Sequence, residues 1–261
     1  MKARLIKIGL IALAVMSPVS AFACCTVVDA RAAFTQGEFA SAYENAAPLP
    51  TADAKLIAVQ ALAATLLLGT SDDPKRTSKT ALSLAAQVLE MDPSNKEAQF
   101  HYALIDGFVT RSASPFKAYR KKMPQKTKAV IDAFVLAAPE DGRSQALLGA
   151  WHMGVLRKAG ARNGEKWFGA SFQAAETAYE TALALRPDDI IISSNYALSL
   201  LEYDQDTYSD RTQALLIMAT AAQSNDPIEK AVQARMRMIL DIWDDPKASL
   251  KSAKSFLDGK G

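Results

Sequence analysis

The chain has 261 residues, 49% of them apolar and 22% charged, with 12 glycines, 11 prolines and two cysteines. That composition excludes disordered, collagen-like and disulfide-stapled chains. The formal charge is +2; Lys2, Arg4 and Lys7 supply three cations, and without residues 1–23 it becomes −1, so nothing global argues for nucleic acid.

Residues 1–23 read as an export signal. A basic flank precedes an apolar run from Ile8 to Met16. Pro18 breaks the run, and Ala21-Phe22-Ala23 makes a small-x-small cleavage site. The run falls short of the roughly 20 residues a spanning helix needs. Ser20-Ala21-Phe22-Ala23-Cys24 resembles a bacterial lipoprotein box, with Ala21 where leucine is usual. Simple cleavage and acylation of Cys24 both stay open. The expected location is periplasmic or exported, with Cys24 as the candidate outer-membrane anchor and the route to any membrane. Cys24 and Cys25 are adjacent, so they cannot staple a domain, and no CxxC spacing exists.

Alanine fills 48 positions, and runs of Val, Ile and Thr are scarce. Alanine is the strongest helix former and lets helices approach closely. An all-α chain of about 10–12 helices is therefore expected. Pro, Asp, Asn and Gly punctuation divides it into six hairpins, at about 27–47, 51–92, 94–138, 142–186, 188–225 and 227–258. In the first, Gly37-Glu38-Phe39-Ala40 opens the second helix. Pro93, Pro139, Pro187 and Pro227 recur at spacings of 46, 48 and 40. Proline lacks a backbone donor and disfavours a helical residue before it, so these mark the ends of second helices. The last segment, from Pro246, is a Lys-rich closing helix with Ala248, Leu250, Phe256 and Leu257 available for the inner face.

One internal match stands out. Leu89-Glu90-Met91-Asp92-Pro93 precedes Tyr102-Ala103-Leu104, and Leu183-Ala184-Leu185-Arg186-Pro187 precedes Tyr196-Ala197-Leu198, at an offset of 94 residues. Leu148-Gly149-Ala150-Trp151-His152 and Ala175-Glu176-Thr177-Ala178-Tyr179, with Ala182 and Pro187, complete a pattern that resembles the tetratricopeptide repeat. The period is 40–48 rather than 34, which implies longer helices or insertions. The resemblance implies a right-handed α-solenoid in a single domain over residues 24–261. Gly149, Ala103, Ala197, Ala175 and Ala182 would then sit where helices cross. Carried over from the repeat pattern, groove positions are Phe100, Leu104 and Phe108; then Arg143, Ala146, Ala150 and Met153; then Ser194, Leu198 and Leu201. Such a groove suits a peptide or amphipathic helix of another envelope protein. In overall plan the chain is also similar to helical-repeat periplasmic components associated with TRAP-type solute transporters. That similarity rests on export signal, length and irregular repeats, and implies a ligand-handling accessory with a pocket through the stack.

Signals of chemistry are thin. His101 and His152 lie on predicted first helices, and no metal-ligand spacing, nucleophile elbow, P-loop or Rossmann fingerprint occurs. No cofactor, metal or catalytic set is expected. An enzymatic alternative would need a site around His152, Arg143 and Glu165. Asp72-Asp73, Asp188-Asp189 and Asp244-Asp245 are expected at helix starts, facing the positive end of the dipole. Gly160-Ala161-Arg162-Asn163-Gly164 reads as a loop. Residues 107–131 hold Arg111, Lys117, Arg120, Lys121, Lys122, Lys126 and Lys128 and no acid, with Phe116 and Tyr119 among them. Arg157, Lys158, Arg162 and Lys166 follow in the next hairpin. Insertions at similar places in consecutive hairpins should emerge on one side. The expectation is one basic surface, built on Lys117, Arg120, Lys121, Lys122, Lys126 and Arg162, for an acidic protein segment or anionic headgroups. Trp167 and Phe168 cannot both face inward on one helix.

Overall fold

The computed structural model describes residues 26–259. The segment read as an export signal, residues 1–23, and the acylation candidate Cys24 lie outside the described residues. Helix makes up 80% of what is described, and strand is absent from it. Fourteen helices are present there, more than the 10–12 expected, because both insertions contribute a short helix of their own.

The six expected segments each hold their helices. α1 (Val27–Thr35) pairs with α2 (Phe39–Ala46), and α3 (Ala52–Leu68) with α4 (Pro74–Met91). α5 (Lys96–Arg111) passes over the short α6 (Pro115–Arg120) to pack on α7 (Met123–Ala137). α8 (Gly142–Ala159) likewise passes over α9 (Ala161–Phe168) to pack on α10 (Phe172–Leu185). α11 (Ile190–Tyr203) pairs with α12 (Gln205–Ala221), and α13 (Pro227–Asp241) precedes the closing α14 (Pro246–Leu257).

Local chemistry sets these boundaries. α4, α7 and α10 each stop two residues before Pro93, Pro139 and Pro187. Pro227 does the opposite of what its spacing suggested. It occupies the first turn of α13, where the missing donor costs nothing, and Asp226 caps it. The paired acids are caps: Asp73 accepts from Arg76 N, Asp189 from Ile191 and Ile192 N, and Asp245 from Lys247 and Ala248 N. The Gly160–Gly164 stretch is not a loop. Only Gly160 stands outside a helix, at φ 78° and ψ 155°, a region suited to glycine, and α9 begins at once.

Packing follows the small residues. Ala103, Ala175, Ala182 and Ala197 are buried, as is Gly149. A Cβ on Gly149 would lie 2.7 Å from Tyr179, so α8 crosses α10 where the first has no side chain. The Tyr179 ring stacks on Tyr196 at 4.5 Å, which carries the contact on to α11. One large apolar cluster runs from Ala103 to Leu257, and a second joins Ala30, Ile57, Ala81 and Ile105. The ends also meet. α3 touches α13, the Cβ site of Gly37 is 3.2 Å from Pro227, and Arg111 donates to the Leu257 carbonyl at 2.6 Å. α14 packs on α11 and α13, with Phe256, Leu257, Ala253 and Ser249 buried; Ala248 and Leu250 are half-buried.

Candidate binding surfaces

The groove positions carried over from the repeat pattern divide by burial. Leu198 and Leu201 have no exposure, Met153 and Phe108 are buried, and Ser194 is buried beside them. Leu198, Leu201 and Met153 belong to the main apolar cluster, and Phe108 lines a cavity where the ends of the chain meet. Phe100, Leu104 and Arg143 stay half-buried. Arg143 is engaged on every side. It forks onto Glu97 at 2.6 and 3.0 Å, meets Asp141 at 2.7 Å, and lies 4.5 Å above the Phe100 ring. The Arg143 hydrogen bonds pull the Glu97 carboxyl below its ordinary value. Burial works against charge on Asp141, yet the Arg143 hydrogen bonds outweigh it and leave that carboxyl lowered too. The network ties α5 to the start of α8.

Both histidines are buried. His101 Nδ1 lies 2.8 Å from the Glu97 carbonyl, so Nδ1 carries the proton. His152 Nδ1 instead accepts from the Ser171 backbone N–H at 3.2 Å, which leaves the proton on Nε2 and helps seat the start of α10. Burial, reinforced by Lys128, pushes His152 down to about 4. Its ring meets Trp151 edge-on at 4.9 Å, and Trp151 donates to the Pro124 carbonyl. Arg143 is held by Glu97 and Asp141, while Glu165 is exposed on α9. Among the described residues no group of three or more His, Cys, Asp or Glu side chains could hold a metal ion.

No family model and no curated protein matches this chain. The site therefore has to be read from its own geometry. Among the groove positions carried over from the repeat pattern, Phe108 alone lines either of two depressions on the described residues. An open cleft of about 390 Å³ runs between α8 and α10, lined by Gln145, Leu148, Ser171, Gln173, Ala174, Thr177, Ala178 and Thr181. Its floor is the stripe Ala174, Thr177, Ala178 and Thr181, spaced three and four apart on one face of α10. That spacing of small residues is visible in the sequence, but it looks the same when a neighbouring helix covers it. A second cavity of about 240 Å³ lies where the ends of the chain meet, between Leu66, Pro74, Phe108, Arg111, Lys158 and Asp258. Burial pushes Arg111 down to about 10, with Arg157 adding like-charge repulsion. Arg157 bridges Asp258 at 2.6 Å and Glu202 at 3.4 Å.

The basic residues fall on α6, α9 and the start of α7. Lys117, Arg120, Lys121, Lys122, Lys126 and Arg162 are all exposed. The two insertions touch, because the Tyr119 and Trp167 rings are 6.1 Å apart. Trp167 faces out, whereas Phe168 turns against the core. Phe172 stacks with Tyr203 at 4.6 Å and Tyr208 at 5.0 Å. No helix among the described residues is long and apolar enough to cross a membrane.

Proposed function

We propose that this chain is an exported, non-catalytic scaffold of the tetratricopeptide-like kind that holds a peptide segment of another bacterial envelope protein. On this reading the hairpins wind right-handedly into a solenoid tight enough for α13 to return to α3. One observation carries the proposal: the open α8–α10 cleft, whose floor is alanine and threonine. Short side chains let a partner backbone come close, and Gln145 and Gln173 at the rim offer amide donors and acceptors for it. The export signal supports an envelope location, with Cys24 as its candidate anchor.

Photo-crosslinking in cells tests this. A crosslinker placed at Thr177 or Thr181 is expected to give one discrete adduct, which Ala174→Arg abolishes. A crosslinker at the exposed Leu136 is expected to give none. Identical adduct patterns at cleft and control positions would overturn the reading.

The cavity at the chain ends favours a second reading, that of a ligand-handling accessory to a TRAP-type transporter. Leu66, Pro74 and Phe108 offer apolar wall, and Arg111 and Lys158 outnumber the one lining carboxylate, Asp258, which bridges Lys158 at 3.4 Å. That lining suits a small amphipathic carboxylate.

A further inference from the structure

We propose that α6 and α9 together form a docking face for an anionic bilayer surface. Three large aromatics stand in solvent on these two short helices: Phe116 is 73% exposed, Tyr119 64% and Trp167 53%. Aromatic side chains of that size are normally drawn inward, because each buries a large apolar area. Here the Tyr119–Trp167 contact gathers them from two separate insertions onto one face.

Seven exposed cations surround these rings in sequence, on α6, the turn after it, the first turns of α7, and α9: Lys117, Arg120, Lys121, Lys122, Lys126, Arg162 and Lys166. Among the described residues none of the seven is paired with a carboxylate. Glu165 is the one acid on α6, α9 and the turn after α6. Lys122, in that turn, holds a left-handed backbone at φ 51°, uncommon for a residue with a side chain.

The combination has a physical match. Tyrosine and tryptophan settle at the headgroup level of a bilayer, with the ring in the acyl boundary and the polar end wet. Lysine and arginine around them meet lipid phosphates, each adding roughly five-fold to partition near an anionic surface. An acidic peptide fits less well. Such a ligand would look for a groove, and these aromatics line neither the α8–α10 cleft nor the cavity at the chain ends. Phe116 and Tyr119 lie three apart on α6, and Tyr119 reaches Trp167 on α9, so the rings form an exposed cluster rather than a groove.

The test uses the full chain with vesicles of phosphatidylcholine alone or mixed with phosphatidylglycerol. Every variant keeps the same N-terminal segment, so differences report the folded surface. Binding to the mixed vesicles is expected to weaken with salt and to fall about 25-fold in Lys121→Gln/Lys122→Gln, two charges at roughly five-fold each. Phe116→Ser/Tyr119→Ser is expected to weaken binding even at high salt. The tryptophan emission shift on binding should vanish in Trp167→Phe while binding persists. Lys122→Gly is the sharpest variant: relief of the left-handed backbone raises the melting midpoint, yet vesicle binding drops. Unchanged binding in the double lysine variant, with its circular dichroism intact, would overturn the proposal. So would capture by polyglutamate from a chain that ignores the vesicles. Neither result touches the α8–α10 cleft.

Discussion

His152 shows how one buried polar side chain can serve structure and still report pH. Its Nδ1 is occupied by the Ser171 N–H, and burial holds the folded value near 4 against an ordinary 6.5. The folded protein therefore keeps the ring neutral where the unfolded chain takes a proton. Stability is complete above pH 6.5 and is lost as the pH falls toward 4. Burial lowers His101 as well, so its contribution has the same sign. His152→Gln keeps an acceptor for Ser171 but cannot take the proton. Denaturant melts across that window should show the variant losing roughly 2 kcal/mol less than the parent between neutral and mildly acid pH. Parallel curves for the two proteins would contradict this account. The prominence of His152 in the sequence thus has a structural reason, and the same is true of Arg143, whose charge is taken up by Glu97 and Asp141.

Between elements, the decisive feature is the absence of a side chain. α8 and α10 meet closely because Gly149 lies under the Tyr179 ring. Tyr179 in turn stacks on Tyr196 and donates to Asn195 at 2.5 Å. A methyl group at Gly149 would have to push that ring away and break the stack. Gly149→Ala is therefore expected to cost about 2 kcal/mol, although alanine favours a helix interior over glycine. A thermal melt reads the sign directly, and a stabilised variant would contradict a tight crossing at Gly149. The repeat pattern pointed to this position because it asks for a small residue where helices cross. The same pattern misplaced Pro227. A proline two residues past a helix and one in the first turn of the next give nearly the same spacing, and only the cap at Asp226 tells them apart. The helix over 161–168 is hidden in the sequence for a similar reason, since Gly160 before it and Gly164 within it look like a break. Gly164 is buried inside α9, and a Cβ there would come within 3.0 Å of Leu156.

Across the whole molecule, the chain returns on itself. A repeat array whose units touch only their neighbours would keep its ends apart, whereas here α3 meets α13 and residues far apart share ion pairs. Arg157 bonds Asp258 across 101 positions and lies against Glu202, whose side chain is only 12% exposed. Removing the cation strands a carboxylate that burial already pushes up. Arg157→Ala should cost about 3 kcal/mol, and Arg157→Leu/Glu202→Leu should recover most of it, because an apolar pair of similar size needs no partner charge. Denaturant melts of the parent and the two variants test this. Equal losses in both would show that the contact matters through packing rather than charge.

The sequence by itself determined the helices and most of their ends. Caps, proline stops and small-residue spacings act over a few residues, and six hairpins could be read from them in order. It also placed the basic insertions in consecutive hairpins, and the structure brings them together through Tyr119 and Trp167. Only the tertiary structure decided which faces stay open. Leu198 and Leu201 satisfy the groove pattern but lie buried in the main core. Ala174 and Thr177 satisfy a packing pattern yet line an open cleft. Burial depends on what the rest of the chain lays over a position, and that information is spread over residues a hundred places away.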